Sequence, residues 1–87
     1  MRKHFILYGS VQGVGLRYRA YHAANRFGVT GYVRNNSDFS VEMELEGTEE
    51  AIDQVFMAIE RGTFIHIENM DVKTIPEEGS YSFDIRD

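Results

Sequence analysis

Apolar and polar positions alternate or recur along this chain with periods that divide it into elements. Apolar and aromatic side chains run together over residues 3–8 and stop at Gly9, which predicts a buried strand. Leu16, Ala20, Ala23, Ala24 and Phe27 recur at helical spacing, and Gly28 stands where a left-handed C-terminal cap belongs. A short strand is predicted over 30–36. Val41, Met43 and Leu45 alternate with Glu42, Glu44 and Glu46, the pattern of a half-exposed strand, which Gly47 closes. These two strands should form a hairpin across Ser37, Asp38, Phe39 and Ser40. Thr48 can cap a second helix with Glu49 and Glu50 at the positive end of its dipole, and with Ile52, Val55, Phe56 and Ile59 as its buried stripe. A looser strand over 65–75, a turn over 76–79 and a final alternation of Tyr81, Phe83 and Ile85 complete the chain.

The order is β-α-β-β-α-β, with the last region able to supply one further strand. Under the right-handed crossover rule this is an α+β fold, the ferredoxin-like α/β sandwich, with an antiparallel sheet and both helices on one face. In that topology the first two strands run parallel with another strand between them. The loop after Tyr8 and the end of the 30–36 strand should therefore meet at one edge of the sheet.

At 87 residues the chain has room for one domain, expected to span residues 1–87, and without cysteine it has neither disulfides nor thiolate ligands. No apolar run approaches the roughly 18 residues of a membrane span, and the start is too short in apolar residues for a signal peptide. A cytoplasmic monomer without membrane partners is expected. The net charge of −5 speaks against nucleic acid. Its distribution is uneven: Arg2, Lys3, Arg17, Arg19, Arg26 and Arg34 all precede position 37, and every carboxylate follows it. This split suggests a local region that favours a small anion.

Between the first strand and the first helix lies Ser10-Val11-Gln12-Gly13-Val14-Gly15. Glycines at 9, 13 and 15 permit positive φ and leave N–H groups unshielded, and the loop leads into a helix N-terminus with donors of its own. Arg17 in the first turn can close over a phosphate with its planar fork. The spacing matches neither nucleotide-binding glycine fingerprint, so a nucleotide is not the expected ligand.

These residues resemble the acylphosphatase family. Gly9-Ser10-Val11-Gln12-Gly13-Val14-Gly15-Leu16-Arg17 is similar to its first signature, G-x-V-Q-G-V-x-F-R, and Gly31-Tyr32-Val33-Arg34-Asn35 to its second, G-[WY]-V-x-N. The resemblance implies hydrolysis of small acyl phosphates to a carboxylate and inorganic phosphate, with no cofactor, metal or covalent intermediate. It assigns phosphate binding to Gly13, Val14, Gly15, Leu16 and Arg17, and catalysis to Arg17 with Asn35, which orients the attacking water. Since no carboxylate lies in the first 36 residues, the substrate's own phosphate is the expected proton acceptor, with Asp38 as the nearby protein alternative.

Two positions depart from the pattern. Leu16 replaces phenylalanine, which should alter packing behind Arg17, and Phe39 replaces the glycine of the hairpin turn, which should strain or re-form it. Elsewhere simple readings suffice. His4, His22 and His66 lack metal-ligand spacing, Ser10 has no partner base, and Tyr18, Tyr21 and Met57 read as core or boundary residues. Glu42, Glu44 and Glu46 read as a solvated strand face, and Arg34 and Asn36 as pointing away from Asn35. Two other functions are open: a non-catalytic module that binds phosphate or a phosphorylated metabolite, and the acylphosphatase-like domain of the hydrogenase-maturation carbamoyltransferases. The end at Asp87 favours a free-standing enzyme over the latter.

Overall fold

The computed structural model describes residues 1–87. Five strands and two helices follow in the order β1 (Arg2–Ser10), α1 (Leu16–Phe27), β2 (Thr30–Asn35), β3 (Val41–Glu46), α2 (Glu49–Glu60), β4 (His66–Ile75) and β5 (Phe83–Arg86). The strands form one sheet in the order β4-β1-β3-β2-β5. β3 pairs antiparallel with both β1 and β2, so these two run in the same direction on either side of it.

The four-strand antiparallel unit β4-β1-β3-β2 matches the expected ferredoxin-like arrangement. The fifth strand extends it differently, because β5 lies parallel to β2 and makes the sheet mixed. The Arg86 guanidinium sits 4.0 Å from the centre of the Tyr32 ring across that pair, adding a cation–π contact to the short ladder.

Alternation decides which side of each strand is buried. Phe5 and Leu7 of β1, Val33 of β2 and Val41, Met43 and Leu45 of β3 face the helices. Leu16, Ala20, Ala23 and Ala24 of α1 and Ile52, Val55 and Ile59 of α2 meet them, and together they form one continuous core. Each large aliphatic side chain fully buried there contributes roughly 1.5–3 kcal/mol, so packing sustains the fold without cross-links. The caps stand where the sequence put them. Gly28 closes α1 in the left-handed conformation (φ 69°), and the Thr48 hydroxyl accepts from Ala51 N at 3.1 Å.

The other face of the sheet is open, but its glutamates are not merely solvated. Arg2, only 2% exposed, donates to Glu44 at 2.8 Å and to Glu46 at 3.1 Å, and the Tyr32 hydroxyl donates to Glu42 and Glu44. His4 stands opposite Glu44 across the β1–β3 ladder, which gathers His4, Glu42 and Glu44 into a cluster invisible in sequence spacing. Arg2 and Tyr32 already engage its carboxylates. Glu42 is held below the usual carboxylate range by the Tyr32 hydroxyl and, less, by His4, against the opposing effect of burial.

Candidate functional site

The loop between β1 and α1 turns on Gly13 and Gly15, at φ 72° and 78°, left-handed conformations that cost a side-chain-bearing residue roughly 1–2 kcal/mol. Gly15 is the N-cap of α1 and provides no side-chain cap, and no acidic residue occupies the first turn. The first N–H groups of the helix therefore remain donors without a carboxylate competing for them. Gly9, by contrast, belongs to β1. A Cβ there would collide with the His66 carbonyl oxygen of β4, so this glycine serves strand packing rather than the loop.

Leu16 is fully buried and anchors the first turn in the core. Arg17 is about one-third exposed, and its Nη1 lies 3.6 Å from Oδ1 of a fully exposed Asp87. An exposed pair of this length is weak and screened by salt, leaving the guanidinium available to a stronger anion.

Asn35 ends β2, opposite Val41. Because β1 and β2 run in parallel, this position comes level with the loop, and Val11, Gly13, Gly15, Leu16, Arg17 and Asn35 line one cavity of about 170 Å³. A water takes up roughly 30 Å³, so this space has room for a phosphoryl group together with an attacking water. The Asn35 Oδ1 is itself out of contact with solvent and has no protein partner. Leaving a buried acceptor unpaired costs roughly 1–3 kcal/mol.

Gln12, passed over in the sequence, joins the two halves. Its Nε2 donates at 2.9 Å both to the Asn36 carbonyl and to the Ser40 carbonyl, tying the loop to the β2–β3 hairpin. A polar residue between Val11 and Gly13, inside a loop otherwise lacking long side chains, was the available signal. The hairpin is strained as its sequence implied: Phe39 adopts φ 71° with its ring 76% exposed. Asp38 holds this turn together, its Oδ1 accepting from Ser40 N at 3.0 Å and from the Ser40 hydroxyl at 2.5 Å. Those bonds depress its pKa, led by the hydroxyl. Asn36 serves the same turn, donating from Nδ2 to Ser40 Oγ at 3.1 Å, while Arg34 is exposed.

Two expectations change. The basic residues of the first 36 positions do not surround the loop: Arg2 is buried among glutamates at the opposite end of β1, and Arg19 and Arg26 border a groove between the helices. Arg17 is the basic side chain that lines the cavity. Val14 does not line it either but borders an adjoining cavity. Tyr18 is not a core residue; it stands 69% exposed at the rim.

The family model for acylphosphatase matches residues 3–85. The chain is 43% identical over 86 residues to an acylphosphatase of Geobacillus thermodenitrificans, covering 92% of this chain and 89% of that one. The crystal structure of acylphosphatase from Bacillus subtilis is similar with a TM-score of 0.88 at 32% identity, over 98% of this chain and 97% of that one. Full-length HypF in its phosphate- and nucleotide-bound form contains a region similar to 99% of this chain, with a TM-score of 0.89 and 26% identity, which amounts to 12% of that longer protein. No helix here is long and apolar enough to cross a membrane.

Proposed function

The chain belongs to the acylphosphatase family, and from that premise we propose that Arg17 and the Gly13–Arg17 loop hold the phosphoryl group of a small acyl phosphate while Asn35 aims the attacking water. The reaction cleaves the carboxyl–phosphate anhydride. Water attacks phosphorus in line with the bond to the acyl oxygen, that bond breaks, and the carboxylate leaves with its electron pair. A carboxylate leaves readily, so the site need only position water and stabilise charge on the phosphoryl oxygens. The helix N–H donors and the Arg17 fork suit the second task.

The seat of Asn35 on the wall of the loop's cavity carries the reading of the first. An uncharged amide there can hydrogen-bond a water and orient its lone pair toward phosphorus. Membership of the family favours the hydrolase over a regulatory binder. The proton of the attacking water passes to a phosphoryl oxygen of the substrate. Asp38 is a poor alternative, since its acceptor oxygen is engaged by Ser40 and its basicity is depressed. With the reading goes a cytoplasmic monomer that acts on a small molecule, releases inorganic phosphate and engages neither nucleic acid nor membrane.

Benzoyl phosphate hydrolysis without added metal tests the assignment. Asn35→Ala should lower kcat by about 10², the scale of one positioned polar group, and leave inhibition by inorganic phosphate unchanged. An Asn35→Ala enzyme with undiminished kcat, or one that loses phosphate affinity in step with turnover, overturns the role given to Asn35.

A further inference from the structure

Next to the phosphate-sized cavity lies a larger one of about 460 Å³, within the roughly 300–1,000 Å³ usual for small-molecule sites. The two share Gly15 and Tyr18 as a common wall. Val14, Tyr18, Phe64 and Ile65 give the second cavity apolar sides, and Arg19 and His22 border it. Its two aromatic rings are left largely in solvent, Tyr18 at 69% and Phe64 at 72% exposure. A single exposed ring is unremarkable, but two on one cavity that abuts the phosphate loop form an unpartnered aromatic surface where a substrate's other end must lie. Although acids outnumber bases 14 to 9 in the chain, none lines this cavity.

We propose that this cavity is the acyl subsite and that it selects acyl phosphates with an uncharged aromatic acyl group. The inference rests on the phosphate assignment above and adds the substrate class. With phosphorus held by the loop, the acyl group extends past Gly15 and Tyr18 into the space beside Phe64. An aryl ring there covers apolar surface that an acetyl group is too short to reach, and it can pack edge-on or offset against Tyr18 and Phe64. A cationic acyl group would meet the Arg19 guanidinium and be disfavoured.

The test compares kcat/KM for benzoyl phosphate and acetyl phosphate in wild type, Phe64→Ala and Phe64→Leu. Because the two substrates differ in intrinsic reactivity, the informative quantity is the change in their ratio. Phe64→Ala should lower the benzoyl-to-acetyl ratio about fivefold, as expected for loss of one aromatic contact, through a higher KM for benzoyl phosphate at nearly constant kcat. Phe64→Leu should fall between the two. An unchanged ratio, or equal losses on both substrates, overturns the acyl subsite and leaves the hydrolase reading intact. Absence of turnover on either substrate by the wild-type enzyme would instead defeat the hydrolase reading itself.

Discussion

The two ends of β1 use the same chemistry in opposite ways. At its start, Arg2 is buried with Nε donating to Glu44 and Nη1 to Glu46 and Ser80, and those carboxylates are in turn shared with Tyr32 and with backbone N–H groups of Glu78 and Gly79. Past its other end, Arg17 has only an exposed carboxylate 3.6 Å away, and the helix donors lack a side-chain cap. Dense pairing makes a polar group structural; sparse pairing leaves it free to act on something from outside. Net charge in a stretch of sequence does not distinguish the two, but the local balance of donors and acceptors does.

Breaking the open end should have the largest effect. Arg17→Ala is expected to lower kcat/KM for benzoyl phosphate by about 10³ and to weaken inhibition by phosphate in parallel, with thermal stability almost unchanged. Breaking the closed end should do the reverse. Arg2→Met strands two partly buried carboxylates and should cost about 2 kcal/mol, discounted for their partial exposure, or roughly 10 °C in Tm, while the mutant's kcat at a permissive temperature stays near wild type.

A smaller change of the opposite sign is expected between the two halves of the site. Phe39→Gly removes the positive-φ strain of the hairpin without losing packing, and should stabilise by about 0.5–1 kcal/mol in denaturant titration. Smallest is Asp38→Asn, whose amide oxygen can still accept from Ser40; turnover should stay within about threefold of wild type. A loss of turnover in Asp38→Asn with phosphate binding preserved would restore Asp38 as the base.

Local signals were legible and lateral ones were not. The stripe from Leu16 to Phe27, the caps at Gly28 and Thr48 and the alternation of Val41, Met43 and Leu45 all depend on near neighbours, and each stands as read. Topology then carried the reading further, bringing the loop level with Asn35 across an intervening strand. What escaped depended on register between strands. Arg2 looked like part of a basic region because Glu44 and Glu46 lie more than forty positions away in sequence, although they face it on the sheet. The parallel seat of β5 beside β2 was equally hidden, since its short alternation fits either edge of the sheet. Tyr18 shares the spacing of α1 but stands on its outer side, and Gln12 acts through two carbonyls that no periodicity marks.

The placement of β3 between β1 and β2 has a consequence for assembly. The loop and Asn35 have no direct strand pairing and become neighbours only after the central strand has been threaded between theirs. Because Gln12 ties the anion-binding loop to the β2–β3 hairpin, an anion held by that loop favours the finished molecule over a chain lacking the central strand. By mass action it deepens the native well alone, so added inorganic phosphate should slow global unfolding as well as occupy the site.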